Sequence, residues 1–398
     1  MGILRSDSEP PMNFIQTKIK PSKSTKSLRP ALFTFFAGAG FLDLGFEQNG
    51  FDVVFVNEFH KPFLEAYKYS RQQMGIAKPM FGHLACDISD LLDADESVSM
   101  RDYVQRARRT HGLVGFVGGP PCPDFSVGGK NKGRDGENGR LSKTYVDLIC
   151  QQLPDFFVFE NVKGLWRTQV HRQFYEELKT QLKIAGYVLS DRLVNAIEYG
   201  APQDRDRIIL VGIHESVSRE EVELEFPWQQ ESRFPASILK SKIWPTRDEF
   251  QKFTARTKPE EVPAELTVQY WFDNNDVNNH PNSADRFKPK AALPKFEKYD
   301  EGDDSKKCFK RLHRWRYSPT AAYGNNEVHL HPYEARRISV AEALAIQSLP
   351  RSFVLPPDMT LTDKFKTIGN GVPYFLAVGV AKSLLSLLDD TYVQANCR

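Results

Sequence analysis

Four clusters of side chains in this 398-residue sequence have the types and spacing to do chemistry. The first is Cys122, wedged between prolines in Gly118-Gly119-Pro120-Pro121-Cys122-Pro123-Asp124-Phe125-Ser126. Prolines stiffen the backbone, and a thiol held rigidly on a loop is placed as a nucleophile would be; a lone cysteine is otherwise most often an inert buried thiol. The second is Glu160, in Phe159-Glu160-Asn161-Val162. It closes an apolar run, where a carboxylate is costly unless it is partnered or protonated. That suits a proton donor, and equally an ordinary capping acid. The third is Gln203-Asp204-Arg205-Asp206-Arg207. In extended chain Gln203, Arg205 and Arg207 share a face, and two guanidiniums there suit an anion or a pyrimidine carbonyl, or an ion-pair ladder with Asp204 and Asp206. The fourth is Phe36-Ala37-Gly38-Ala39-Gly40, with Glu58 20 residues beyond Gly38. Glycines let a backbone approach a ligand closely, and a carboxylate at that distance can bridge ribose hydroxyls. The spacing is not the GxGxxG of dinucleotide sites, which favours an adenosine-type ligand without a required pyrophosphate over NAD.

The elements that must position these clusters are short apolar runs. Ala31–Phe36, Asp52–Val56, Leu113–Val117, Phe156–Phe159 and Arg207–Ile213 read as buried strands, with helical patterns such as Val170–Ala185 between them. Continuous apolar strands alternating with helices predict an α/β fold whose mostly parallel sheet is covered on both faces. Ligands in such sheets bind beyond the carboxyl ends of the strands. The polar clusters should therefore converge on one edge. From about Glu215 to Asp304 the pattern is lost to Pro, Asn, Lys and Asp, which predicts a second, irregular unit. Regularity returns at Ser339–Leu349, where Ser339 and Glu342 form a capping box, and the chain closes with GNGVP and an apolar helix over Tyr374–Leu388.

Composition bounds the reading. Apolar residues make up 40% and aromatic residues 12%, enough for a core. The length suggests about two to three domains. No run reaches the roughly 20 apolar residues of a membrane span, and residues 1–28 read as a disordered tail without the apolar centre of a signal peptide. The chain is expected to stay in the compartment where it is made. Five scattered cysteines and no CxxC pair support neither a disulfide framework nor a zinc site. The net charge is only +2, but Ser305–Arg316 carries +6 in twelve residues from Lys306, Lys307, Lys310, Arg311, Arg314 and Arg316. His313, Trp315 and Tyr317 interleave with it, which points from a solvated basic face toward nucleic acid.

In this order the clusters resemble the DNA (cytosine-5) methyltransferases that use S-adenosylmethionine. FAGAG at 36–40, Glu58, Asp87-Ile88, PPCPDFS at 120–126, ENV at 160–162, QDRDR at 203–207, RRISVAEALAIQSLP at 336–350 and GNGVP at 369–373 carry the resemblance. It covers roughly residues 30–213 and 310–390. A DPPY or NPPY tetrad, as used on exocyclic amines, is missing, and a thiol stands in its place.

The resemblance implies a class I methyltransferase sheet, Rossmann-like, with a smaller target-recognition unit. The catalytic unit would be discontinuous, residues 29–213 and 336–398, and recognition would fall to 214–335. It implies that Cys122 adds to cytosine C6, that Glu160 contacts N3 and the amino group, that Arg207 meets O2 and that Arg205 braces the cysteine loop. Phe36, Ala37, Gly38, Ala39, Gly40, Glu58, Phe59, Asp87, Ile88, Pro121 and Asn370 fall at or beside its cofactor positions. Ser126, Gln203, Lys306, Lys307, Lys310, Arg311, Arg314, Arg316 and Thr320 are the expected DNA contacts; Ala321-Ala322 departs from the family pattern after Thr320. The target base would flip out of the duplex, and Val127–Arg140 has the composition of a lid. No metal is implied. Duplex DNA is the implied partner, with room for a cognate restriction endonuclease on the same site, a monomeric enzyme, and a cytoplasmic, nucleoid-associated location without membrane. Transfer to tRNA, or a catalytically silent DNA-binding homologue, are the competing readings.

Overall fold

The computed structural model describes residues 29–92, 100–121, 137–217, 224–289, 292–321, 323 and 327–396. The elements are β1 (Ala31–Phe35), α1 (Phe41–Glu47), β2 (Asp52–Asn57), α2 (Lys61–Gln73), β3 (His83–Leu84), α3 (Met100–His111), β4 (Val114–Gly118), α4 (Glu137–Gln152), β5 (Phe156–Val162), α5 (Gly164–Arg167), α6 (Gln169–Ile184), β6 (Tyr187–Asn195), β7 (Asp206–His214), α7 (Val268–Asn274), α8 (Leu293–Phe296), α9 (Val340–Ile346), α10 (Leu361–Asn370) and α11 (Tyr374–Asn396). The seven strands form one sheet in the order β3-β2-β1-β4-β5-β7-β6. The first five are mutually parallel, and β7 runs antiparallel to both β5 and β6.

The strands read as unbroken apolar runs because both faces are covered. Phe33, Phe35, Phe116, Phe157 and Phe159 pack on one side against α3, α4 and α6. Leu32, Val117, Phe156 and Val158 pack on the other with α11, the alternation that a two-residue period requires. Two glycines make room for the bulk of β5. A Cβ on Gly115 would stand 2.0 Å from the Phe156 ring, and one on Gly212 would stand 2.1 Å from that of Phe157. α11 packs on α1 so closely that a Cβ on Gly45 would meet Ala377 Cβ at 2.5 Å.

Three differences from the sequence reading have physical causes. The strand over Arg207–Ile213 is antiparallel, because it returns from β6 by a short connection. β6 itself was not foreseen; it is an edge strand of mixed polarity, YVLSDRLVN, half-buried along most of its length. By length and composition the stretch Leu361–Asp389 is apolar enough to cross a membrane, contrary to the exclusion drawn above. In the fold it breaks between α10 and α11 at 371–373, and over half of its apolar window is buried. Ser339 caps α9 through its reciprocal box with Glu342, as the pattern indicates. Within 224–335 the described residues form the short helices α7 and α8, 3-10 turns and isolated bridges.

Candidate active site

The carboxyl edge of the parallel strands gathers the clusters. After β1 the chain turns through Phe36, Gly38 and Gly40, all with positive φ (54°, 57° and 80°). The Gly38 N–H donates to Glu58 Oε2 at 2.8 Å, and the His60 N–H donates to Oε1 at 2.8 Å. Glu58, at the end of β2, is thus fixed against the turn. Burial pushes its carboxyl up, and the two backbone donors pull it back. Phe59 beside it is 70% exposed, an aromatic face left open at the mouth of the site. Asn57 donates to the carbonyls of Leu84 (3.3 Å) and Cys86 (3.1 Å), which carries the chain to Asp87. Asp87 caps a 3-10 turn through Ser89 and lies 3.6 Å from the Arg140 guanidinium. Asn370, at the end of α10, is exposed.

Some predicted cofactor residues also have a packing role. Ile88 is packed in the core under the sheet, so it anchors Asp87 and leaves no side-chain surface for a ligand. Ala39 likewise faces a core cluster. Gly40 is required by its neighbours: a Cβ there would lie 2.4 Å from the Tyr67 ring and 2.7 Å from Arg71 Nη2. Arg71, fully enclosed, donates to the Gly40 carbonyl at 2.8 Å and to Glu47 at 2.6 Å, and stacks over Tyr67. Sequence reasoning missed Arg71, since nothing in KYSRQQ marks one arginine on an amphipathic helix as buried.

Glu160 and Arg207 meet on adjacent strands. Glu160 lies opposite Ile209 and Arg207 opposite Val162, so the two are diagonal neighbours, with Arg207 Nε 2.5 Å from Glu160 Oε1. Burial raises the Glu160 pKa; Arg207 first, then Arg205, pull it down without restoring the ordinary value. The second carboxylate oxygen sits where a side chain on Gly119 would be, 2.5 Å from that Cβ position. The acid therefore lies directly against the loop that leads to Pro120 and Pro121. Pro121 is exposed. Cys122, Ser126 and most of Val127–Arg140 fall outside the described residues.

The 203–207 segment is pinned from several directions. Asn195 holds Asp204 (2.8 Å) and Asp206 (2.9 Å) with its amide and accepts the Arg205 N–H with its oxygen. Arg205 donates to the carbonyls of Ala321 (3.1 Å) and Gly369 (2.8 Å). Its guanidinium thus ties GNGVP to the end of the irregular unit, where bracing of the cysteine loop was expected. Thr320, exposed, donates to the Asp204 carbonyl.

Three predicted DNA contacts are corrected. Gln203 is wholly buried, donating to Gln347 and accepting from the Ala321 N–H. Arg311 is buried and spends its guanidinium on the carbonyls of Tyr299, His331, Glu334 and Phe296. Arg314 is buried in a bidentate pair with Glu301. All three side chains are buried, so none is presented to a phosphate. Lys306 and Lys307 are exposed and Lys310 is half-buried, with Lys307 2.8 Å from Glu327. Arg316 stacks on Tyr317, 4.0 Å from Asp304. Among the described residues, no three His, Cys, Asp or Glu side chains are grouped to hold a metal.

Comparison with known proteins places this arrangement. The family model for C-5 cytosine-specific DNA methylases matches residues 31–386. The Type II methyltransferase M.NmeDI of Neisseria meningitidis serogroup C is 57% identical over 362 residues, covering 91% of this chain and 84% of that protein. M.FnuDI of Fusobacterium nucleatum, also a Type II methyltransferase, is 28% identical, covering 90% and 95%. Among solved structures, a candidate DNA modification methyltransferase from an E. coli prophage superposes with a TM-score of 0.59 at 20% identity, covering 90% of this chain and 99% of that one. The Dnmt2 methyltransferase of S. pombe superposes with a TM-score of 0.55 at 14% identity, covering 92% and 99%. At those identities the likeness speaks for the fold.

Proposed function

This chain belongs to the C-5 cytosine-specific DNA methylase family and is a DNA methyltransferase, and from that premise we propose that it methylates a flipped cytosine within a specific duplex sequence through a covalent Cys122 adduct. The observation that carries the reading is the buried Glu160–Arg207 pair lying against Gly119, three residues before Cys122.

The residues present suit S-adenosylmethionine. Gly38 keeps backbone open to a ligand, Glu58 would hold the ribose with its carboxylate, and Phe59 and Asp87 would hold the adenine. When bound, the cofactor supplies a methyl group activated by its sulfonium charge. The rest falls to this chain. The Cys122 thiolate adds to C6 and shifts electron density to C5. Glu160, with its pKa raised by burial, is poised to carry a proton toward N3. Arg207 orients Glu160 and presents positive charge toward O2. Flipping costs a few kcal/mol, which binding to the duplex must offset. Residues 29–213 and 336–398 would form the catalytic unit and 214–335 the recognition unit, with the exposed Lys306, Lys307 and Thr320 and the half-buried Lys310 and Arg316 as the groups nearest in character to phosphate contacts. The kinship with Type II methyltransferases favours a restriction-modification role beside DNA in the cytoplasm, with the chain acting as a monomer and any cognate endonuclease reading the same site independently.

Transfer of tritiated methyl groups to duplex DNA and not to tRNA is the expected result; transfer to tRNA alone would overturn the substrate assignment. A duplex with 5-fluorocytosine at the target should trap the chain covalently, since fluorine cannot leave as the proton does, and Cys122→Ala should abolish both trapping and transfer. Turnover by that variant would refute the nucleophile. Bisulfite sequencing of DNA from cells expressing the chain would identify the recognition sequence.

A further inference from the structure

Beneath the glycine turn, α1 and α2 bring together two pairs of side chains, each pair one helical turn apart: Asp43 and Glu47 on α1, Tyr67 and Arg71 on α2. Asp43, Tyr67 and Arg71 are buried, and Glu47 nearly so. The group holds two carboxyls and one cation. Among the described residues Arg71 pairs with Glu47 and not with Asp43. Three polar atoms of the group, Asp43 Oδ2, the Tyr67 hydroxyl and Arg71 Nη1, have no hydrogen-bond partner there, which is uncommon in a folded interior. The group also bears on the turn. Arg71 Nη2 donates to the Gly40 carbonyl, which already accepts the Leu44 N–H of α1 at 3.0 Å. The Gly40 N–H in turn donates to the Ala37 carbonyl at 2.8 Å, so whatever moves Gly40 moves Gly38, which lies between them.

Two ionised carboxyls against one guanidinium would leave a net negative charge in the interior, which is costly. A proton on one of them removes it, and Asp43 is the carboxyl without the ion pair. It is faced by Thr34 from β1, Glu47 from its own helix, Tyr67 and Arg71 from α2, and Tyr145 from α4. Burial pushes it up to about 7, with Arg71 opposing. His83, against the Tyr67 ring, is pushed down to about 4 by burial and stays neutral. A neutral Asp43 makes no claim on Arg71, and the guanidinium can hold the turn. An ionised Asp43 competes for the unpartnered Nη1. We propose that Arg71 is a positioning residue for the cofactor, bracing the turn through the Gly40 carbonyl, and that loss of the Asp43 proton draws Arg71 away and slackens the turn. This assignment rests on the reading of the turn as the cofactor site.

The test is a calorimetric titration of the full chain with S-adenosylmethionine at about pH 6 and about pH 8.5, on either side of the Asp43 transition. Asp43→Asn mimics the neutral acid, and the ligand's own titration is common to both proteins. At the higher pH the wild-type chain should lose about tenfold more affinity than Asp43→Asn, the ratio carried by one unit of pKa difference between free and bound protein. Between the two pH values it should take up more protons on binding than the variant, measured in two buffers of different ionisation enthalpy. Identical pH profiles overturn the proposal. So does a wild-type affinity that rises with pH relative to the variant, which would mean that ionised Asp43 attracts the sulfonium instead of slackening the turn. Arg71→Lys keeps the charge but lacks the planar fork that holds Glu47 and the carbonyl together. It should bind about tenfold more weakly at about pH 6, and undiminished affinity overturns the brace. Glu58→Gln separates the two levels. If it weakens S-adenosylmethionine while Asp43→Asn follows the wild type at both pH values, only the brace fails. If Glu58→Gln leaves affinity untouched, the reading of the turn fails with it.

Discussion

Arg205 and Arg207 at the start of β7, and Arg311 and Arg314 in the irregular unit, are both pairs of buried arginines in which one meets a carboxylate and the other backbone carbonyls, yet they stand in different surroundings and do different work. Arg207 meets a carboxylate, Glu160, at an edge where a substrate can approach. Arg311 meets four backbone carbonyls, and Arg314 is locked to Glu301 and the Thr254 carbonyl. The difference follows from the surroundings. In the sheet, neighbouring strands satisfy the backbone and leave side chains free for chemistry. The described residues of 224–335 have little regular structure, so buried carbonyls need donors from elsewhere, and a guanidinium with five N–H groups is the side chain that supplies most. Arginine in this unit substitutes for secondary structure.

The contrast can be broken by experiment. Arg311→Met should cost about 3–5 kcal/mol of stability, since it strands several buried carbonyls; denaturant unfolding that moves by less than 1 kcal/mol would dissolve the distinction. Arg207→Met should instead cost about 10²-fold or more in kcat with the fold retained. It should also move a pH limb. If transfer needs Glu160 protonated, activity falls as pH rises through its raised pKa. Loss of the Arg207 charge raises that pKa further, so the limb should shift to higher pH; a shift downward would separate the pair functionally.

The lysines of the basic block, exposed at 306 and 307 and half-buried at 310, extend the comparison. Neutralising Lys306, Lys307 and Lys310 should leave stability within about 0.5 kcal/mol while flattening the salt dependence of DNA binding by about one unit of slope per lost phosphate contact. An unchanged slope returns them to a solvated face. A separate effect, read in the pH dependence of stability, concerns Asp43, buried beside Arg71. Burial raises its pKa to about 7 from 3.8, with Arg71 opposing. The folded chain then binds the proton more tightly than the unfolded one, so this group stabilises the fold below the unfolded value and loses that contribution as pH rises toward 7. Asp43→Asn should remove this slope. Thermal unfolding of variant and wild type at pH 5 and pH 8 should show the variant losing less; equal losses would mean that Arg71 already holds Asp43 charged.

Much of the site was legible because strand ends announce themselves. ALFTFF followed by AGAG, FFVF followed by ENV, and LVGFV followed by GGPP each pair an apolar run with a polar break, and the structure sets all three on one edge. Glu58 was legible by distance alone and proved to be bonded to Gly38. The basic block was misread in part because a charge count carries no information about burial. Asn195 and Arg71 escaped notice because each acts through a partner outside its own element, respectively the 204–206 segment and the Gly40 carbonyl.

The sequence by itself determined the two-faced sheet, the glycine turn and the order of its reactive groups, because apolar periodicity and backbone freedom are local properties of the chain. What only the tertiary structure decided is the company that each charge keeps. QDRDR precedes its strand, and in a fully parallel sheet Arg205 and Arg207 would lie at the edge opposite Glu160. The reversal of β7 brings them to the same edge, since strand direction is settled by pairing across the sheet and not by the residues of the strand alone.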